Sequence, residues 1–186
     1  MSTLLAAGTF VLLAAYPFIV YLLMDRGELR VAGLALLGVL VIRWLAPGGA
    51  RQQTVAALAT GVAFAAAIAL TNSETLARLY PVAVSATLLA AFGATLLRPP
   101  SMIERIARAT GPALDERGVR YTRVVTVIWC GFFVANGAVA LATALVGTRA
   151  TWALYNGLVS YLLAGALLVG ERVVREFWRR RPVAGG

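Results

Sequence analysis

The sequence contains no histidine and no lysine, and it has a single cysteine, Cys130. Without histidine, this chain can form neither a Ser-His-Asp triad nor a Cys-His dyad, and a metal site built on histidine and cysteine is excluded as well. One cysteine cannot form an internal disulfide. Cys130 lies in an apolar run, which indicates a small packing residue. We therefore predict no catalytic residue, no metal and no cofactor.

Charge is also scarce, at 13% of the 186 residues, whereas 60% are hydrophobic. Soluble domains are about 25% charged, so this composition indicates a membrane protein. The net charge of +9 comes from arginines that flank the apolar runs. This placement favours anionic lipids over nucleic acid as partners.

Six apolar runs, each near the roughly 20 residues that a spanning helix needs, can be traced along the chain. They are too long for strands and lack strict alternation. We predict an all-α fold, with one polytopic domain of six transmembrane helices over residues 1–186. The predicted spans cover about 4–24, 29–46, 54–71, 79–97, 124–147 and 152–171, with an interfacial segment at 98–123 and a basic tail at 172–186.

Counting arginines predicts the orientation. Thirteen arginines lie in or beside the second connection, the fourth connection and the tail, and four lie on the opposite side. Both termini should therefore be cytoplasmic. Arg26 and Arg30 follow the first run, whereas no arginine precedes it. This leaves open a re-entrant first run, with five spans and an external N-terminus.

The segment from Leu96 to Arg123 predicts a short helix lying on the cytoplasmic membrane surface. Ser101 and Glu104 have the spacing of a capping box, and Gly111-Pro112 should end the helix. The predicted apolar face holds Ile103, Ile106 and Ala107, and the polar face holds Glu104, Arg105 and Arg108.

The arginines of this segment allow two interpretations. They either anchor and orient the chain, or they form a docking platform for a lipid phosphate or an acidic or membrane protein partner. The candidate binding residues are Arg98, Arg105, Arg108, Arg120 and Arg123.

Polar residues inside the runs are few. The candidates are Tyr16, Asn136, Tyr155 and Asn156. An interhelical hydrogen bond is the first interpretation of Asn136, and a ligand contact is the second. No carboxylate lies deep in a run, which disfavours a proton-coupled pump. Pro17 should kink the first helix, although such a kink could also shape a cavity.

Small residues and proline predict packing. Pro81 should fall in the first turn of the fourth helix. Ridges of small residues predict that the third and fourth helices pack closely together, and a homo-oligomer also stays open. These ridges are Ala57, Gly61, Ala65 and Ala69, and Ala86, Ala90 and Ala94.

The stretches RPPSMIERIAR, WCGFFVANG and WALYNGLVSYLL resemble the C-terminal half of the intracellular septation protein A family, whose members are bacterial inner-membrane proteins. A shared W-x-x-F-F-x-x-x-G run includes Trp129 and Gly137, and a W-x-x-[FY] start to the last span is matched by Trp152 and Tyr155. The chain departs from that family at Asn156, where lysine is usual, and Ala140 replaces an asparagine.

The R-P-P-S-M-I-E-R and W-A-L-Y-N-G segments are more similar to a small membrane family encoded within aryl-polyene (xanthomonadin-type) pigment clusters. Both resemblances imply the inner membrane and a role in the envelope, and neither implies a reaction. We therefore expect a non-enzymatic component of envelope or polyene-lipid biogenesis that works through lipid or protein partners. The alternatives are a carrier or flippase for a hydrophobic product and, with less support, a membrane-embedded transferase. A midplane cavity lined by Tyr16, Asn136 and Asn156 would favour the carrier.

Overall fold

The computed structural model describes residues 15–45, 51–110 and 114–180, and this part of the chain is all-helical, without a strand. The helices are α1 (Ala15–Met24), α2 (Leu29–Leu45), α3 (Arg51–Thr71), α4 (Glu74–Leu97), α5 (Met102–Thr110), α6 (Glu116–Leu145), α7 (Arg149–Leu154) and α8 (Ser160–Arg180). A π-helical turn, Tyr155–Val159, joins α7 to α8 without a break. Residues 4–14 of the first predicted span lie outside the described residues, as do Gly111-Pro112.

Three helical segments are long and apolar enough to cross a membrane. They cover Glu74–Leu97, Glu116–Leu145 and Arg149–Glu176, with 24, 30 and 28 residues. Three shorter apolar helices accompany them, at Ala15–Met24, Leu29–Gly38 and Gly61–Thr71. The fold is therefore an all-α bundle with the helices of a membrane protein.

Helices α4 and α6 begin earlier than the apolar runs predicted for them, because polar residues cap their N-termini. Ser73 caps α4 by accepting a hydrogen bond from the amide of Leu76, and Asp115 caps α6 through Gly118. As a result, Pro81 lies inside α4 and the prediction of a first-turn proline is wrong. At the other end of the chain, α8 continues to Arg180 and so extends beyond the predicted last span into the basic tail.

Three connections meet at one end of the bundle. The Asn72 side chain donates to the carbonyl of Gly27 (2.7 Å) and accepts from the amide of Arg30 (2.9 Å). The guanidinium of Arg149 pairs with Asp25 and Glu74, both at 2.7 Å. The turns after α1, α3 and α6 therefore share one end, and α5 and the end of α8 lie at the other.

Within the described residues, the small-residue ridge of α3 at Gly61, Ala65 and Ala69 faces α2 rather than α4, and the side chain of Ala57 lies outside them. Gly33 of α2 is so close to α3 that an added Cβ would lie 2.7 Å from the amide nitrogen of Ala69 and 2.8 Å from the carbonyl oxygen of Ala65. Gly61 packs against Leu40 of α2. Helices α3 and α4 do meet, through the rings of Phe64 and Tyr80.

The predicted ridge of α4 is exposed, at Ala86, Ala90 and Ala94. The prediction that the two ridges pack against each other is therefore wrong. Helix α4 instead packs on α6 through an aromatic cluster, in which Phe92 contacts Phe133 (5.1 Å between centroids) and Trp129 (6.3 Å). Edge-to-face and tilted ring pairs stabilise packing beyond the area that they bury. A pattern of small residues takes no account of this stabilisation.

Candidate functional site

Asn136 joins three helical segments inside the bundle. Its amide nitrogen donates to the hydroxyl of Ser85 in α4 (3.2 Å), and its carbonyl oxygen accepts from the hydroxyl of Tyr155 in the π turn (3.1 Å). Gly137 allows this contact, because a Cβ there would lie 3.2 Å from the Cβ of Ser85. The geometry matches the interhelical hydrogen bond that was the first interpretation of Asn136.

Asn156 is buried in the π turn, and only one of its two polar side-chain atoms is hydrogen-bonded. Its amide nitrogen donates to the carbonyl of Trp152 (2.9 Å) and to the hydroxyl of Thr143 (3.2 Å). Its side-chain oxygen is buried and has no hydrogen-bond partner among the described residues. Single π turns within α-helices are frequent at functional sites. The side-chain oxygen of Asn156 therefore remains open to a further contact.

Tyr16 hydrogen-bonds the backbone carbonyl that Pro81 leaves without a donor in α4. Pro81 has no N–H, so the carbonyl of Ala77 loses its usual donor within the helix. The buried hydroxyl of Tyr16 donates to this carbonyl at 3.4 Å. One residue later, the carbonyl of Arg78 accepts from the indole nitrogen of Trp152 at 2.9 Å. The predicted site residue Tyr16 thus has a structural partner, and the kink predicted at Pro17 depends on residues outside the described part.

Arg78 was counted in the sequence only as a charge, yet it joins α4 to the end of α6. Its guanidinium donates to the carbonyls of Thr143 (2.7 Å) and Gly147 (2.6 Å) and lies 3.8 Å from Glu74. Carbonyls at a helix C-terminus lack intrahelical donors, and a cation there also interacts favourably with the helix dipole. Hydropathy cannot reveal this role, because it depends on where α6 ends.

The short helix predicted after Ser101 forms as α5 (Met102–Thr110), but its orientation differs from the prediction. Glu104 is 6% exposed and faces the bundle, whereas Ile106 is 49% exposed. The reason is that the α5 N-terminus packs on hydroxyls: the amide of Met102 donates to Thr95 (2.8 Å), and the amide of Ile103 donates to Thr126 (3.3 Å). The assignment of Glu104 to the outer polar face is therefore wrong.

The predicted capping box is formed on one side. The carboxylate of Glu104 accepts from the amide of Ser101 at 3.3 Å. The hydroxyl of Ser101 is buried and has no partner in the described part of the chain. The same carboxylate accepts two hydrogen bonds from Arg108, at 2.8 and 2.9 Å. This arrangement satisfies a buried charge at the start of α5.

The five candidate arginines fall into two groups. Arg108 pairs with Glu104, and Arg105 donates to the carbonyls of Pro100 (2.8 Å) and Arg98 (3.2 Å). Their side chains therefore stabilise α5 and the turn before it. The other group has exposed residues whose side chains show no hydrogen bond or ion pair within the described ranges: Arg98, Arg120 and Arg123. That all five bind one ligand stays a prediction.

A groove of about 690 Å³ lies between α6 and α8. Its α6 wall runs from Arg117 to Ile128, and its α8 wall runs from Ala166 to Val174. Arg120 borders it, whereas Tyr16, Asn136 and Asn156 do not. Arg117 borders it too. This residue was not among the predicted site residues, because a groove between two helices depends on how they pack.

The described residues contain no cluster of three His, Cys, Asp or Glu side chains that could hold a metal. Cys130 is a half-buried free thiol. No known protein family, curated protein or solved structure matches this chain. The likenesses to the septation protein A family and to the aryl-polyene cluster family stay predictions.

Proposed function

We propose that the chain is a six-span protein of the bacterial inner membrane with both termini in the cytoplasm. The meeting of three turns at one end of the bundle supports this topology. Those turns and the adjoining first helical turns carry Arg26, Arg30, Arg78 and Arg149. Consecutive spans would therefore alternate in direction, and the thirteen other arginines would lie on the cytoplasmic side.

Reporter fusions test this topology. Fusions after Arg51, after Arg117 and at the C-terminus should all give cytoplasmic signals, and a fusion within the turn at 146–148 should give a periplasmic one. A periplasmic signal after Arg117 would contradict the proposed topology. A cytoplasmic signal after Arg51 combined with an external N-terminus would indicate five spans.

Within that membrane we propose a non-enzymatic component of envelope or polyene-lipid biogenesis that acts through lipid or protein partners. The observation that carries this proposal is the contrast between the interior and the arginine-rich end. Inside, Tyr16, Asn136 and Tyr155 bind neighbouring helices. At the start of α6, exposed arginines border an apolar groove. The envelope setting rests on the family resemblances.

A carrier or flippase is the second candidate. It is favoured by the unpartnered side-chain oxygen of Asn156 in the π turn. A polar group left unpaired in the interior of a membrane protein is costly, and such groups mark substrate pathways. A carrier would require Asn156 for its activity, whereas a component that works through surface partners would not.

The two groups of arginines allow a direct test. In a deletion strain of the host, the triple variant Arg98→Lys, Arg120→Lys and Arg123→Lys should insert normally but restore less than about a tenth of the polyene-lipid content of the envelope. Lysine keeps the positive charge but loses the bidentate geometry for phosphate or carboxylate. The matched control, Arg105→Lys with Arg108→Lys, should retain function with a lower melting temperature.

Asn156→Leu completes the test. Full complementation by this variant together with failure of the exposed triple would support the partner-binding function. Failure of Asn156→Leu with an unchanged melting temperature, and with an active exposed triple, would instead identify a carrier. Full activity of every variant would leave the arginines as anchors and contradict the proposal.

A further inference from the structure

The groove between α6 and α8 has a charged mouth and an apolar floor. Near its mouth, the hydroxyl of Tyr121 donates to the backbone carbonyl of Glu171 at 3.1 Å and ties the two helices together. Deeper in, the walls are aliphatic, with Val124 and Ile128 on α6 and Leu167 on α8. Because α6 and α8 run antiparallel, residues early in α6 lie beside residues late in α8. The arginines therefore line the mouth of the groove, and the aliphatic side chains line its deeper part.

The electrostatics of the mouth favour an anion. Arg117 and Arg120 are exposed, and no hydrogen bond or ion pair of their guanidinium groups is seen within the described ranges. The acidic residue of the lining, Glu171, is already paired with Arg175, whose Nε lies 2.8 Å from the carboxylate. Two guanidinium groups therefore remain for a ligand, and guanidinium binds phosphate oxygens in a bidentate manner.

The dimensions fit one lipid chain in one leaflet. The α6 wall covers eleven residue steps from Arg117 to Ile128, about 16 Å at the rise of an α-helix. This is about half of the roughly 30 Å hydrocarbon thickness of a bilayer. The groove volume of about 690 Å³ lies within the range of ordinary ligand sites, roughly 300–1,000 Å³.

We propose that this groove binds one acidic phospholipid from the leaflet on the arginine-rich side. An acyl chain lies along Val124, Ile128 and Leu167, and Arg117 and Arg120 hold the phosphate. The inference deepens the proposed function and rests on it for its biological meaning, since it names a lipid as the partner. The binding itself is measured on purified protein, independently of complementation.

Native mass spectrometry of the purified full chain tests which lipid headgroup the groove prefers. Phosphatidylglycerol and phosphatidylcholine with identical acyl chains are titrated separately. The wild type should bind phosphatidylglycerol about tenfold more tightly, since each arginine beside an anionic lipid adds a substantial electrostatic gain. Arg117→Gln with Arg120→Gln should abolish this preference without changing phosphatidylcholine binding. Arg172→Gln removes an exposed charge from α8 outside the groove and should behave as the wild type.

Two glycines of α8 allow a test of acyl-chain binding in the groove. Gly170 lines the groove and Gly165 does not, and both have open space where a Cβ would stand. Gly170→Leu should therefore fill the groove and weaken binding of both lipids about tenfold or more. Gly165→Leu makes the same chemical change on the same helix and should leave both affinities unchanged.

Crosslinking keeps the test independent of variant folding. A photoactivatable phosphatidylglycerol with its diazirine in the acyl chain should label wild-type peptides containing residues 124–128 and 166–174. Equal affinity for the two lipids, retention of the preference by the double glutamine variant, or labelling elsewhere would each overturn the proposal. A lipid-free dimer that dissociates in Gly170→Leu would also overturn it, by showing that a second copy covers the groove. Normal lipid binding combined with full complementation by every arginine variant would instead contradict only the proposed function.

Discussion

Gly33→Leu should lower the free energy of unfolding by about 3 kcal/mol, because α2 and α3 meet backbone to backbone at this residue. An added Cβ would approach the amide nitrogen of Ala69 at 2.7 Å and the carbonyl oxygen of Ala65 at 2.8 Å. Neither atom can rotate away as a side chain could, so α3 would have to shift as a whole. Small residues allow such close approach in membrane proteins, where lipid gives little hydrophobic drive for helix association.

Gly38→Leu is the matched control on the same helix. Gly38 is exposed, and nothing lies within 4 Å of the position of its Cβ. Both substitutions raise helix propensity equally, so they differ only in the contact with α3. Thermal unfolding in detergent should show a clear loss for Gly33→Leu, a smaller loss for Gly33→Ala and no loss for Gly38→Leu. Equal melting temperatures for both leucine variants would show that α2 and α3 do not pack at Gly33.

Gly33 also illustrates what the sequence could and could not predict. The ridge of α3 is visible because small residues recur at every fourth position. Its partner is not visible, because Gly33 has leucines four residues before and after it, at Leu29 and Leu37. The alanine-rich α4 supplied a more regular stripe, and that stripe is exposed. Composition and periodicity therefore predicted helices and one packing face, but not which helices meet.

The candidate site residues also divide into those that the sequence could predict and those that it could not. The polar residues inside the runs were found from their rarity, since a buried amide or hydroxyl needs a partner, and Asn136 has its partners on two neighbouring segments. The burial of Glu104 was missed, because it follows from hydroxyls on α4 and α6 that receive the first amides of α5. Arg117 was missed because a groove between two helices leaves no periodic pattern in the sequence of either helix.

Arg78→Leu should lower the free energy of unfolding by about 2 kcal/mol, the second large effect that the structure predicts. The side chain is 14% exposed and donates to two carbonyls at the end of α6, those of Thr143 and Gly147. Hydrogen bonds from a charged donor are stronger than neutral ones, and their loss leaves both carbonyls without this donor. The Nε of Arg78 is buried without a partner in the described part, so its removal offsets part of the loss.

Arg149→Leu removes the same charge from the same end of the bundle and provides the control. Its side chain is 42% exposed and pairs with Asp25 and, through two nitrogens, with Glu74. Exposed ion pairs contribute little, because water and salt screen them and because two flexible side chains must be ordered. Arg149→Leu should therefore change the melting temperature far less than Arg78→Leu, and the gap should persist in high salt. If the two variants melt alike, the contacts of Arg78 with α6 add nothing beyond surface charge.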